Sequence, residues 1–277
     1  FIVFCYIPMF GNIMAFEDYS VGKGFLHSEW VGFRWFREFF SSVYFGRLIK
    51  NTLLISIYSL IIGFPIPIIF ALLLNEIKDG PFKRVTQTIS YLPHFISVVV
   101  VVGLLFNFLS PIDGVVNVLL KSMGKDAINF MSEPGWFRTL YIGSNIWQNF
   151  GWDSIIYLAA LSSVDPQLYE AAQIDGAGKF KQMLHVTLPA IMPTIIILLI
   201  MNVGNIMNVG FEKIILMYSP ATYETADVIS TYVYRRGILG SQFSFSASVG
   251  LFNSVINFAL LFTVNKISNR VSEISLW

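Results

Sequence analysis

Glu170, Ala171, Ala172, Asp175, Gly176, Gly178, Leu188 and Pro189 sit in a 24-residue polar stretch, EAAQIDGAGKFKQMLHVTLPAIMP, between two long apolar runs. Their chemistry is that of a shaped backbone, not of a reaction. Asp165 is a good helix N-cap, and Pro166 stands where the first helical turn needs no amide donor. Gln167 to Ile174 has helix-forming composition, and Gly176 and Gly178 offer the permissive backbone of a C-cap. The pattern predicts a helix of about two turns outside the bilayer. A second amphipathic run and a proline-marked re-entry at Leu188–Pro189 follow it. Ala171 and Ala172 leave one face nearly bare, so another protein can approach the backbone closely. That is a docking element.

A second group of side chains suits hydrogen bonding to a solute. Asn202, Asn205 and Asn208 recur every three residues ahead of Glu212, within about a third of a helix circumference. Asn145, Asn149 and Trp152, with Gln148 alongside, form a comparable face, and Asn253 and Asn257 repeat the spacing. Amides at membrane depth cost free energy unless paired or facing water, so each either bridges helices or lines a wet path. Three in register beside Gly204 and Gly210 favour the wet path, with Asn149, Trp152, Asn202, Asn205, Asn208 and Asn253 lining it. Amides both donate and accept, and aromatic rings lie against the apolar faces of sugars, which suits a neutral, hydroxyl-rich ligand. An ion path would carry a chain of charged groups, and only Asp153 and His94 are ionisable near mid-span.

Composition sets the solvent in which these groups work. Apolar residues make up 55% and charged residues 13%, and the mean hydropathy is +0.65. That is too little charge to cover a soluble globule. A net charge of +1 argues against recruitment of nucleic acid. The one cysteine, Cys5, excludes an internal disulfide and a cysteine metal cluster. There is no GK[ST] phosphate loop, so ATP is not bound by this chain. His27, His94 and His185 lie far apart, which argues against a metal site. Ser97 near His94 is the one candidate nucleophile–base pair, and nothing else supports an intramembrane hydrolase. No catalytic residue and no cofactor are expected.

At about 20 apolar residues per crossing, the chain reads as an all-α polytopic bundle of six spans. Phe1–Phe16 is taken as the outer part of a truncated first span, without the charged region of a signal peptide. Glu17–Lys50 is polar and aromatic, suited to an interfacial loop with an amphipathic helix. The further spans are Asn51–Leu74, kinked by Pro65 and Pro67, then Val85–Leu109 with Pro93 and His94, then Thr139–Val164. The docking loop, 165–189, leads to Ala190–Met217, and Gly237–Asn265 is the last span. Both termini then fall on the docking-loop side. That side carries seven Lys and Arg against ten or more opposite, so the positive-inside count does not orient the chain.

The docking stretch resembles the permease subunits of bacterial ATP-binding-cassette importers. Their cytoplasmic loop carries Glu-Ala-Ala, then a Gly preceded by Asp, then Leu-Pro about a dozen residues on. Glu170, Ala171, Ala172, Asp175, Gly176, Ala177, Leu188 and Pro189 fill that pattern without a gap. The likeness continues from Asn51 onward, through Asn51-Thr52-Leu53, the Pro111–Gly114 turn with Asn117, Tyr223–Gly237, Ala247–Asn257 and the Ser275-Leu276-Trp277 ending. These features are similar to the oligosaccharide and polysaccharide branch, of the lipoprotein-associated polysaccharide and alginate-oligosaccharide type.

The resemblance implies a single transmembrane domain over residues 1–277 in the bacterial cytoplasmic membrane, with the docking loop in the cytoplasm. It implies alternating access driven by two separate ATP-binding subunits, a second permease of different sequence, an extracytoplasmic solute-binding protein and an oligosaccharide cargo, in a setting of membrane lipid. The rival reading is a passive channel for polar solutes, or a permease for a solute that is not a sugar. A channel has no use for a capped helix built to engage a motor.

Overall fold

The structure, a computed structural model, describes residues 2–276, so Phe1 of the first apolar run and Trp277 of the tail lie outside the described residues. The chain is helical almost throughout. Among the described residues, strand pairing is confined to a two-residue antiparallel ladder, Glu17↔Trp30 and Asp18↔Glu29. The amphipathic helix expected in the 17–50 loop is α1 (Arg34–Ser41).

The second apolar run folds as α2 (Phe45–Glu76), starting earlier than the Asn51 the sequence suggested. Ser59–Gly63 within it is π-helical. Pro65 has no amide to bond a carbonyl one turn back, so the ladder widens ahead of it and the helix continues. The third run is not a straight span. α3 (Pro81–Tyr91) tightens into a 3-10 turn over Leu92–Phe95, and α4 (Val98–Phe108) departs from it at 98°. Pro93 sits inside that turn, where its missing amide costs least.

α5 (Val115–Ser122) and α6 (Pro134–Ser162) follow. The docking segment is α7 (Pro166–Ile174). The fifth expected span, Ala190–Met217, is corrected at both ends. α8 (Lys179–Gly204) starts inside the polar stretch and runs unbroken through Pro189 and Pro193. Its Met183–Thr187 segment is π-helical ahead of Pro189, the same accommodation as before Pro65. The chain thus enters the apolar run as a helix, with no break at Leu188–Pro189. After Gly204 the backbone turns, and the short α9 (Phe211–Met217) begins beyond Gly210. α10 (Phe243–Ser272) ends the fold.

Among the described residues, three helices, α2, α8 and α10, are long and apolar enough to cross a membrane, and the bent α3–α4 pair would be a fourth. The expected count of six is not reached by this measure. Ile2–Phe16 is a shorter apolar helix, and α6 has 29 residues but carries Asn145, Gln148, Asn149 and Asp153.

Two compact units emerge. One comprises Phe1–Ser56, Phe108–Arg138 and Asn205–Leu260, and Phe39, Leu48, Met207, Ile229, Tyr232, Phe245 and Val249 form its core. The other comprises Ile57–Asn107, Thr139–Gly204 and Leu261–Trp277, with Ile68, Ala71, Leu72, Tyr157, Leu161 and Ile191 at its centre. Large apolar side chains such as Ile61, Phe95, Val99 and Phe258 are exposed, a distribution that lipid tolerates and water does not.

Candidate coupling loop and solute path

The docking helix is capped at both ends by its own sequence. The Asp165 carboxylate accepts the Gln167 amide at 2.9 Å, and Pro166 takes the first helical position. At the other end the Gly176 amide donates to the Gln173 carbonyl (3.0 Å) and the Ala177 amide to the Ala172 carbonyl (2.9 Å). This is the double-bonded Schellman termination, and Gly176 adopts the left-handed φ of +77° that it requires. Gly178 plays a different part from the one expected. Its backbone is extended, φ −69° and ψ 167°, and it caps the start of α8.

No residue of α7 is fully buried. Glu170 and Ala171 are exposed and Ala172 is half-buried. Leu168, Ile174 and Phe180, apolar and 50–88% exposed, frame the same segment. On the inner side, the Tyr169 hydroxyl meets the Thr187 hydroxyl at 3.1 Å, and the Gln182 side-chain amide donates to the Ala177 carbonyl at 2.7 Å. Leu188 and Pro189 continue the helix just beyond this contact.

The amides expected to share one helix face do not. Asn202 is on the last turn of α8, exposed, with its side chain donating to the Leu198 carbonyl at 2.8 Å. Asn205 and Asn208 lie past the helix end, where the Asn208 amide closes a turn on the Asn205 carbonyl (2.9 Å) and the two side chains meet at 3.4 Å. Asn253 and Asn257 serve that unwound segment. Asn257 accepts the Met207 amide at 3.1 Å, and Asn253 donates to the Met207 carbonyl at 3.4 Å. Non-helical backbone beside an apolar run needs such partners. Three-residue spacing alone carried no sign of them, although Gly204 and Gly210 bracket the turn.

Asn149 and Trp152 belong to a cluster at the α3–α4 bend. The His94 Nδ1 lies 3.0 Å from the Asn149 side-chain oxygen, and its ring stacks on Trp152 at 4.5 Å with planes 1° apart. Phe95 meets Trp152 edge-on. Gln148 donates to the Ile96 carbonyl at 2.9 Å, which satisfies a backbone group that the bend would otherwise leave free. Gly151 lets α6 come so close to α3 that a Cβ there would overlap the Ser90 carbonyl.

Sequence reasoning missed one constellation. Asp227 is fully buried, and its carboxylate takes Arg235 (2.8 Å), Arg47 (3.1 Å) and the Thr231 hydroxyl (2.9 Å). Asn51 donates to the Glu224 and Asp227 carbonyls, and Arg138 donates to Asn51 at 2.8 Å. Burial works against the Arg235 charge, but its bonds to Asp227 and Tyr218 outweigh that and raise its pKa further. The charge persists at any accessible pH. Arg235 also lies over the ring of Tyr223 at 4.8 Å.

The fold defines a helical membrane protein with an exposed, doubly capped loop. The chain belongs to the family described as the binding-protein-dependent transport system inner membrane component, whose pattern it matches over residues 63–273. It is 45% identical to protein LplB of Bacillus subtilis (strain 168) over 277 residues, all of this chain and 87% of that one. It is equally, 45%, identical to the polygalacturonan/rhamnogalacturonan transport system permease protein YteP of the same strain, covering 99% and 85%. It also superposes on a chain of the crystal structure of a bacterial alginate ABC transporter in complex with an alginate pentasaccharide-bound periplasmic protein. That match has a TM-score of 0.92 and 47% identity, and covers 100% of this chain and 92% of the other.

Proposed function

We propose that the chain is the single-domain transmembrane subunit of an ATP-driven importer that moves an oligosaccharide across the cytoplasmic membrane by alternating access. ATP is hydrolysed by two partner subunits, and their motion reaches the spans through the Glu170–Pro189 loop. A second permease of different sequence completes the path, and an extracytoplasmic binding protein delivers the sugar. The observation that carries this reading is α7 itself: a helix capped at both ends by its own residues, with none of them fully buried. A channel gains nothing from such an element.

The cargo reading rests on chemistry and kinship together. Polygalacturonan and alginate, named for two relatives, are chains of uronic acids. Asn202, Asn205 and Asn208, with Asn149 and Trp152, offer amide donors and an indole face, which suit sugar hydroxyls and carboxylates alike. Asn253 supports the unwound part of that path through Met207. An oligosaccharide that contains uronate is therefore favoured over the neutral sugar that the amides alone suggest.

Co-purification with identification of the partners, followed by a screen of uronate and neutral oligosaccharides for stimulated ATP hydrolysis, tests the reading. Stimulation by a uronate oligosaccharide in the presence of the binding protein is expected. A complex without ATP-binding subunits, or one that no sugar stimulates, would overturn it.

A further inference from the structure

The docking helix is tied to the membrane helix by a closed circuit of hydrogen bonds. From α7, the Ala172 carbonyl accepts the Ala177 amide at 2.9 Å. The Ala177 carbonyl accepts the Gln182 side chain at 2.7 Å. The Gln182 carbonyl accepts the Thr187 hydroxyl at 3.4 Å. The Thr187 oxygen in turn meets the Tyr169 hydroxyl at 3.1 Å, back on α7. With the Thr187 proton directed at Gln182, Tyr169 is the donor in the last bond. Gln182 and Thr187 are buried, 4% and 1% exposed, whereas the nearby Lys179–Glu76 ion pair has its lysine 75% exposed and contributes little.

Thr187 is also the last residue of the π-helical stretch Met183–Thr187. There the helical ladder is rearranged ahead of Pro189, and π-helical turns of this kind concentrate at functional sites. The circuit enters α8 at Gln182 and closes at Thr187, on that turn. We propose that Thr187, held by Tyr169, is the positioning residue through which motion of the docking helix enters α8. Gln182 keeps α7 and the π-helical turn moving as one piece. The inference rests on the docking role assigned to the loop. It adds which side chains carry the motion onward.

The test compares Thr187→Val and Thr187→Ser in the assembled transporter, reconstituted with its partner permease, ATP-binding subunits and binding protein. The readout is sugar transported per ATP hydrolysed. Valine keeps the volume and loses both bonds, so a fall of at least about fivefold in that ratio is expected, the factor the Tyr169 bond alone is worth. Serine keeps the hydroxyl and restores the ratio. Tyr169→Phe added to Thr187→Val lowers it no further, because the two share one bond. A ratio unchanged in Thr187→Val, or a loss of thermal stability with the ratio intact, overturns the proposal. So does additivity of the two substitutions. Should Thr187→Val fail to assemble, Tyr169→Phe alone, which leaves the Thr187–Gln182 bond in place, decides on the same ratio. If Gly176→Val uncouples the transporter and Thr187→Val does not, this inference fails while the docking role stands. If neither does, the docking role itself fails.

Discussion

Asp227→Ala is the perturbation whose consequence the structure sets most firmly. The carboxylate is wholly buried, and it separates two guanidinium groups that are 33% and 24% exposed. Its removal leaves Arg47 and Arg235 facing each other with one fewer acceptor, and also takes one of the partners of the Thr231 hydroxyl, which keeps Val228. Loss of one member of a buried ion pair costs about 3–5 kcal/mol. Partial exposure of both arginines places this site at the lower end, about 3 kcal/mol. For a chain of this size, each kcal/mol shifts the melting temperature by roughly 2–4 °C, so a fall of about 6–12 °C is expected. The assay is thermal unfolding of the purified transporter in detergent. Asp227→Asn keeps the shape and one acceptor, and falls between the wild type and Ala. Adding Arg235→Gln to Asp227→Asn should cost less than the sum of the single changes, since they share the interaction. A shift below about 2 °C for Asp227→Ala, or strict additivity in the cycle, would refute the reasoning.

Further expectations rest on separate observations. A cysteine at residue 180 and one at residue 125 should label from opposite sides of the membrane, since both native residues, Phe180 and Lys125, are exposed. Labelling of both by one impermeant reagent would put the two loops on the same side and remove the basis of the docking role. Gly151→Val forces a Cβ into the Ser90 carbonyl and should cost about 1–3 kcal/mol, read as a lower melting temperature. A neutral result would show that α3 and α6 do not approach so closely. Asn253→Leu removes the donor to Met207 and should lower stability by about 0.6 kcal/mol with uptake little changed. Asn205→Leu and Asn208→Leu should lower sugar uptake, with assembly and unstimulated ATP hydrolysis preserved. Stability loss without a transport defect in those two would assign them a structural role.

What could be read from the residues alone divides along physical lines. The docking helix was legible in detail because Asp165, Pro166 and Gly176 act on neighbours one to five residues away. Local rules suffice there. Pro65 marked a disturbance of the ladder for the same reason, and it takes the form of the π-helical stretch Ser59–Gly63 in a helix that continues to Glu76. The break after Gly204 was not, because asparagines spaced by three look helical until the partners of Met207 are known. Those partners, Asn253 and Asn257, lie 46 and 50 residues on. The 98° bend was marked by Pro93, but the apolar run on either side averaged it away. The Asp227 cluster spans 180 residues between Arg47 and Asp227, and no periodicity reports such a pairing. Asp227, Thr231 and Arg235 stood inside a stretch quoted for its resemblance, without a role, and Arg47 stood outside it.

In the proposed function, ATP hydrolysed by partner subunits drives sugar through this chain by way of the docking helix. Uptake of a uronate oligosaccharide into proteoliposomes, with ATP supplied and withheld, tests it most directly in the wild type and in Gly176→Val. A side chain at a φ of +77° costs about 1–2 kcal/mol and disrupts the termination that shapes the loop. The account predicts ATP-dependent uptake in the wild type and its loss in a Gly176→Val transporter that still inserts in the membrane. Wild-type uptake by Gly176→Val, or uptake that proceeds equally without ATP, would contradict it.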